Sequence, residues 1–205
     1  MAVLGKKALK KKLAHKDINK RLYITPLINP ENQIGESSID LRLGNDFIVT
    51  KRGNQHSIDL GKEIWEQRPL RKHCTNISEA FYLHPNELVL ANTFEFVKLP
   101  DDLSGYVTSR SSFGRAGLVI ATATIIHPGF SGTITLELIN LGQLPIALYP
   151  GIPVAQIVLH DCEGGEKYKG NFNNQTDAKS HDLSNDKKND LDFWTKRLKI
   201  GKSET

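Results

Sequence analysis

Between Ser38 and His160 the chain breaks into short runs rich in Val, Ile, Thr and Phe, punctuated by Gly, Pro, Asn or Asp. The runs are 38–43, 46–50, 80–83, 87–96, 104–108, 118–123, 132–140, 146–148 and 153–160. β-branched and aromatic residues fit a pleated, half-buried surface, and the punctuating residues fit turns. Many short strands with little helix between them predict a mainly β domain, a sandwich or a barrel. Upstream, Leu4, Ala8, Leu9, Leu13, Ile18 and Leu22 recur at roughly helical spacing. That spacing predicts a helix over 4–21 with one apolar stripe. The step from Thr25 to Pro26 is its exit, because a residue before proline leaves the α region. Residues 30–36 read as loop, and 51–79, mixed and charged, as a long loop with a short helix. Beyond about Asn171 the chain turns polar, with a short amphipathic piece over 191–198 that carries Phe193 and Trp194.

The chain has 205 residues, enough for one good core and a small appendage. Hydrophobic residues at 39% and charged residues at 24% are the balance of a soluble globular protein. No apolar run approaches the ~20 residues of a membrane span, and the lysine-rich start lacks a secretory apolar region, so the cytoplasm is the expected location. The net charge is +4, and much of the excess lies in Lys6, Lys7, Lys10, Lys11, Lys12, Lys16, Lys20 and Arg21. No aromatic residues are interleaved there as stacking platforms, so a solvated helix face is expected rather than a nucleic-acid contact. A nucleoside triphosphate would answer the same charge. The two cysteines, Cys74 and Cys162, make neither a disulfide framework nor a zinc finger. Zinc-dependent nucleobase deaminases carry His-x-Glu followed by Pro-Cys-x-x-Cys. Neither stretch occurs here, so deamination by this chain would have to proceed without zinc, and no set of metal ligands is read from the sequence.

Two segments carry chemistry. Ser109-Arg-Ser-Ser-Phe-Gly-Arg-Ala-Gly117 collects two arginines, small hydroxyls and glycines. Arg110, Arg115, Ser111 and Ser112 are the donors a polyphosphate requires, and Gly114 and Gly117 let a backbone come close. The same composition serves an ordinary surface turn. In Gly132-Thr-Ile-Thr-Leu-Glu-Leu-Ile-Asn140 the alternation puts Ile134, Leu136 and Leu138 on one face and Thr133, Thr135, Glu137 and Ile139 on the other. Glu137 is then either an outward acid on a half-solvated strand or a functional acid sharing a cavity with Arg115. In the second case burial and the arginine's charge would oppose each other and leave a usable general base. Lys167-Tyr-Lys-Gly-Asn171 lies where the β pattern ends, and reads equally as a lid over a bound anion or as a polar tail. Gln156 is a carboxamide in an apolar strand, suited to a pyrimidine edge or to capping a neighbouring strand. His127, before Pro128-Gly129-Phe130, takes no firm role from its residue type alone.

Taken together, Ser109–Leu118, Ala121-Thr-Ala-Thr124, His127–Gly132 and Thr135-Leu-Glu-Leu138 resemble the core motifs of the dCTP deaminase family, within the dUTPase-like superfamily. Ser37-Ser-Ile-Asp-Leu-Arg-Leu-Gly44, Phe81-Tyr-Leu-His-Pro85 and Lys167-Tyr168 extend the resemblance over about 3–175. It implies one domain over 1–175, a distorted β-barrel or jelly-roll with a short N-terminal helix and a C-terminal arm, followed by a polar tail over 176–205. It also implies a homotrimer with active sites between subunits, and Mg²⁺ arriving on the substrate's phosphates. By similarity Glu137 is the general base. It takes a proton from the water that attacks C4 of cytosine, then returns protons to N3 and the leaving amine. Arg115 and Ser111 orient it. Arg110, Ser111, Ser112, Lys167 and a carboxamide of the arm, Asn171 or Gln175, hold the triphosphate. The backbone around Ala123 and the side chain of Gln156 face the base, and Phe113, Gly114, His127, Thr135, Leu136 and Tyr168 complete the substrate-binding set.

Three departures stand out. His127 occupies the usual place of an Asp, and in dUTPases the corresponding acid activates the water that attacks phosphorus. Asn171 stands where the arm usually has Gln, with Gln175 a little later. The arm's earlier Pro-Tyr is missing from Leu159–Glu166. The leading expectation is therefore release of dUTP and ammonia from dCTP. A bifunctional form that continues to dUMP and a non-catalytic nucleotide-binding trimer are the alternatives.

Overall fold

The computed structural model describes residues 2–50, 70–121, 125–170 and 173–178. Ala123, Asn171, the 51–69 part of the loop expected over 51–79 and the amphipathic piece at 191–198 fall outside the described residues. The chain divides into two compact units, Met1–Val49 with Lys72–Lys179, and Thr50–Arg71 with Ser180–Thr205. The first unit carries every described candidate residue.

Its elements are α1 (Lys6–Leu13), β1 (Tyr23–Thr25), α2 (Pro30–Gln33), β2 (Ile39–Thr50), β3 (Leu70–Cys74), β4 (Phe81–Leu83), β5 (Leu88–Lys98), β6 (Leu103–Ser109), α3 (Ser111–Arg115), β7 (Leu118–Ile120), β8 (Ile125–Ile126), β9 (Ser131–Asn140), β10 (Ile146–Leu148) and β11 (Pro153–Asp161). Nine strands form one sheet in the order β7-β9-β5-β2-β11-β6-β8, with β1 on β5 and β3 on β2. The sheet curls into a half-barrel, and β10 pairs with β4 as a small second sheet. The mainly β expectation is met.

Alternation builds the core. Ile39, Leu41, Leu43 and Phe47 of β2 point inward with Val89, Ala91 and Val97 of β5. Ile134, Leu136 and Leu138 of β9 and Ala155, Ile157 and Leu159 of β11 join them. Each such Leu, Ile or Phe contributes about 1.5–3 kcal/mol by leaving water. Phe47 stacks on Phe81 at 4.2 Å between ring centres.

The N-terminal helix is shorter than its apolar spacing predicts. It stops at Leu13 because side chains capture the backbone just beyond. Asp17 N–H donates to His15 Nδ1 at 3.1 Å, and Asn19 N–H donates to Asp17 Oδ1 at 2.9 Å. Local bonds of this kind compete with helix, and Ile18 is left exposed. The lysine face is also not a free basic arm. Lys6 pairs with Glu36, Lys10 with Glu31 and Lys12 with Asp102. Three further corrections concern short elements. Residues 70–74 form a strand rather than loop, 30–33 form one helical turn, and 38–43 and 46–50 are one continuous strand.

That long strand survives because of a paired irregularity. The β2–β5 register shifts between Leu43 and Phe47, and the β5–β9 register shifts between Asn92 and Phe96. A Cβ on Gly44 would lie 2.2 Å from Asn92 Oδ1, so a larger residue there would displace the buried Asn92 side chain. Thr93 Oγ1 repairs the second break, accepting Ile134 N–H at 2.9 Å and donating to Glu95 O at 2.8 Å. The inward alternation of β5 runs through this stretch, from Val89 and Ala91 to Thr93, Glu95 and Val97, so Phe94 faces outward and Glu95 is fully buried. Glu95 Oε2 accepts Arg42 N–H at 2.7 Å, and Oε1 accepts Arg42 Nη1 at 2.9 Å and Gln33 Nε2 at 3.0 Å. Burial pushes the Glu95 carboxyl above the ordinary glutamate range, and Arg42 pulls against that rise.

Candidate active site

The arginine-serine segment is a joint between two strands. β6 ends at Ser109, Arg110 stays extended, and α3 makes little more than one turn. Phe113 and Gly114 N–H both donate to Arg110 O at 3.1 Å. Phe113 packs partly into the core and so anchors the turn, while Gly114 has open space where a Cβ would stand. Ser111, Ser112 and Arg115 are exposed. Gly117 has φ +95°, and a Cβ there would meet Gly142 N at 2.8 Å, which fixes how α3 returns into β7. Arg110 alone of the four polar candidates is tied down. Its Nε lies 3.5 Å from Asp40 Oδ2, and its Nη1 donates to Pro153 O at 3.3 Å.

β7 then carries the chain to Glu137. Leu118 faces Asn140, Val119 faces Ile139 and Ile120 faces Leu138 on β9, and Ala121 N–H donates to Glu137 O at 2.8 Å. The C-terminal end of α3 and Glu137 are therefore about four to six residues apart along one ladder, on the order of 15–20 Å at ~3.3 Å per residue. The Glu137 side chain is exposed, so the expectation of a buried acid is corrected. Among the described residues the buried acid is Glu95, and it belongs to the scaffold. Thr135 shares Glu137's face of β9. The Leu136 side chain is wholly in the core, so this residue offers the site only its backbone.

Gln156 lies elsewhere on the sheet. It faces Asp40 on β2 and Thr108 on β6, one step before the Arg110 joint. Ser38 Oγ donates to its Oε1 at 3.2 Å.

The arm residues are seated, not loose. The Tyr168 ring stacks on His127 at 5.4 Å with an interplanar angle of 10°, and Tyr168 N–H donates to Pro128 O at 2.8 Å. Lys167 Nζ lies 3.9 Å from Asp101 Oδ2. Further on, residues 173–175 add to the edge of β9 that β7 leaves open. Ser131 N–H donates to Asn173 Oδ1 at 2.9 Å, and Thr133 N–H donates to Gln175 O at 2.8 Å. Gln175 Nε2 returns a bond to Thr133 O at 2.7 Å and reaches Thr135 Oγ1 at 3.3 Å. Gln175 is thus buried against β9, where it acts as an extra rung of the ladder. The seated stretch continues past the expected boundary at 175, with Asp177 paired to Lys72 and Ala178 buried. A Cβ on Gly132 would fall 3.0 Å from Gln175 O and 3.1 Å from Gln175 N, so glycine there makes room for the arm. Gly132→Ala is expected to unseat the arm and speed tryptic cleavage after Lys167 and Lys169 several-fold relative to the intact protein. Unchanged cleavage would show that the arm does not depend on this approach.

Comparison with known proteins follows the same residues. A family model described as dCTP deaminase-like matches residues 3–162. The chain belongs to this family. It is 44% identical over 161 residues to a dUMP-forming dCTP deaminase of Dictyoglomus turgidum, covering 71% of this chain and 77% of that one. It is 43% identical over 159 residues to a dUMP-forming dCTP deaminase of Methanobrevibacter smithii, covering 77% and 79%. Among solved structures, the 2'-deoxycytidine 5'-triphosphate deaminase of Agrobacterium tumefaciens superposes with a TM-score of 0.58 at 19% identity, over 78% of this chain and 48% of that chain. At that identity the match speaks for the fold.

Within the dCTP deaminase-like domain the candidates form two groups. Arg110, Ser111, Ser112 and Arg115 lie on the joint that leads, through β7, to Glu137. Lys167, Tyr168 and Gln175 lie along the 127–135 end of β9, with His127 among them. Gln156 belongs by register with Asp40 and Thr108. The residue that sequence reasoning passed over is Asp40. It stood inside the quoted Ser-Ser-Ile-Asp-Leu-Arg run without a role. Its signal was an acid between Ile39 and Leu41, both of which are fully buried.

Proposed function

We propose that this chain hydrolytically deaminates dCTP and carries the product on to dUMP. The observation that carries the reading is the pair of relatives at 44% and 43% identity, both dUMP-forming dCTP deaminases. That similarity shifts the balance away from dUTP as the released product, which the histidine at position 127 had favoured. In the proposed chemistry Glu137 takes a proton from water, the oxygen adds to C4 of cytosine, and the protons pass to N3 and the departing ammonia. A second water then attacks the α-phosphorus and pyrophosphate leaves. Ser111 and Arg115 of a neighbouring subunit orient the first step, since within one chain the end of α3 lies several residues along the ladder from Glu137. Arg110 and Ser112 hold the triphosphate, and its Mg²⁺ arrives as part of the substrate. Lys167 joins them at low cost, because its exposed 3.9 Å pair with Asp101 is weak.

Glu137 and the polar side chains of α3 face solvent in a single chain. Acid-base chemistry of this kind gains from excluding water, and a neighbouring subunit would supply that cover, in keeping with a homotrimer. The direct test is to incubate the purified protein with dCTP and Mg²⁺ and to separate the products by anion exchange. dUMP, pyrophosphate and one equivalent of ammonia support the full reading. dUTP with ammonia limits it to deamination, and unchanged dCTP removes it. Within this scheme His127→Asp is expected to leave ammonia release within about threefold of the original and to raise the ratio of dUMP to dUTP. A collapse of deamination in that variant would instead give His127 an active role.

A further inference from the structure

Asp40 has no part in the scheme above, yet its place in the sheet is specific. It stands on β2 between Ile39 and Leu41, both fully buried, and faces Gln156 across the β2–β11 ladder. Its own side chain is one-fifth exposed. Burial pushes the Asp40 carboxyl up, and Arg110, then Arg42, pull it down. Four charges alternate through this region. Arg110 faces Asp40, Asp40 feels Arg42, and Arg42 is bound to buried Glu95.

Arg110 is consequently held at three points. Its backbone N–H donates to Val154 O at 3.1 Å, its Nη1 donates to Pro153 O at 3.3 Å, and its Nε lies against Asp40 Oδ2. A guanidinium has five N–H donors in a planar fork. The Asp40 and Pro153 contacts engage Nε and Nη1, and Nη2 has no partner among the described residues. An unrestrained arginine stem loses rotamer freedom when it grips a ligand, and one held in advance has less to lose.

We propose that Asp40 is a positioning residue, which holds Arg110 with its free Nη2 set for the polyphosphate of the substrate. This rests on the functional reading above. Two opposite effects make it testable by sign. If Asp40 were only a nearby negative charge, its removal would relieve repulsion and tighten polyphosphate binding. If it positions Arg110, its removal weakens binding.

The experiment compares the full chain with Asp40→Asn, Asp40→Glu, Arg110→Lys and the Asp40→Asn/Arg110→Lys pair. Calorimetry measures the Kd for inorganic tripolyphosphate, and ammonia release measures KM and kcat for dCTP. For Asp40→Asn we expect Kd and KM to rise about tenfold while kcat stays within about threefold. Asp40→Glu, which keeps the charge, should recover part of the loss. In the Arg110→Lys background, Asp40→Asn should change Kd less than about twofold, because the partner it acts through is gone. Tighter or unchanged tripolyphosphate binding in Asp40→Asn overturns the proposal. So does an undiminished effect in the Arg110→Lys background, or a fall in kcat and melting temperature with KM unmoved. A starting protein that binds tripolyphosphate but releases no ammonia from dCTP sinks the functional reading, while the Kd series still decides the role of Asp40. A starting protein that does not bind tripolyphosphate overturns the role of Asp40, while ammonia release from dCTP still decides the functional reading.

Discussion

Glu137→Gln is expected to slow ammonia release from dCTP by at least ~10²-fold while nucleotide binding is retained. The substitution keeps the shape of the side chain and removes its capacity to take a proton. Its setting makes the test clean. Glu137 is exposed on β9, its flanking residues Leu136 and Leu138 hold the strand in the core, and its main-chain oxygen is already bonded to Ala121 N–H. The side chain is exposed and not part of the packed core, and the melting temperature should move by no more than the few degrees typical of a surface change. The measurement is a single-turnover rate beside a binding isotherm. Turnover near that of the unmodified chain, with the same affinity, would remove Glu137 from the chemistry.

The second large effect lies in the scaffold. Arg42→Met is expected to cost about 3–5 kcal/mol of unfolding free energy at neutral pH, because it leaves the Glu95 carboxylate buried and uncompensated. Glu95 has no exposed surface, and its two oxygens accept Arg42 N–H, Arg42 Nη1 and Gln33 Nε2. The pH dependence has a definite sign. Because burial raises the Glu95 carboxyl in the folded chain, the fold favours its protonated form. That contribution is fully present below the ordinary glutamate range and is lost as pH rises through the raised value. In Arg42→Met the opposing pull is gone, so the rise and the loss both grow, and the variant should recover stability on acidification more than the original does. The double variant Arg42→Met/Glu95→Leu should regain most of the loss at neutral pH, since removing both charges ends the mismatch. Urea titrations at pH 5 and pH 8 decide it. A single-variant loss below about 1 kcal/mol, with no pH trend, would show that Glu95 is not buried as a charge.

The alternation in 132–140 was enough to place Leu136 in the core and Glu137 on the opposite face of one strand, because side chains on a pleated strand have no other choice. The same alternation holds at 93–95, where Phe94 faces out and Glu95 faces in with Val89, Ala91 and Val97. Residue order does not show what compensates that acid, since Arg42 and Gln33 reach Glu95 from elsewhere in the chain. The helix expected over 4–21 failed for a local reason, since His15 and Asp17 hold backbone groups that a longer helix would need. Arm residues 167–175 were recognisable as a unit by their motif, but not as a rung on β9. Gln175 becomes a ladder partner only because β7 covers just one end of that strand.

By itself, then, the sequence determined the strand-rich class, the inward set of apolar residues and the motif family, since all three follow from residue order and period. Tertiary structure alone decided what compensates the buried Glu95, what holds Arg110 and where the arm rests. Those depend on registers between strands far apart in the chain. A bulge or an open strand edge arises from pairing, and pairing partners are chosen by the whole sheet.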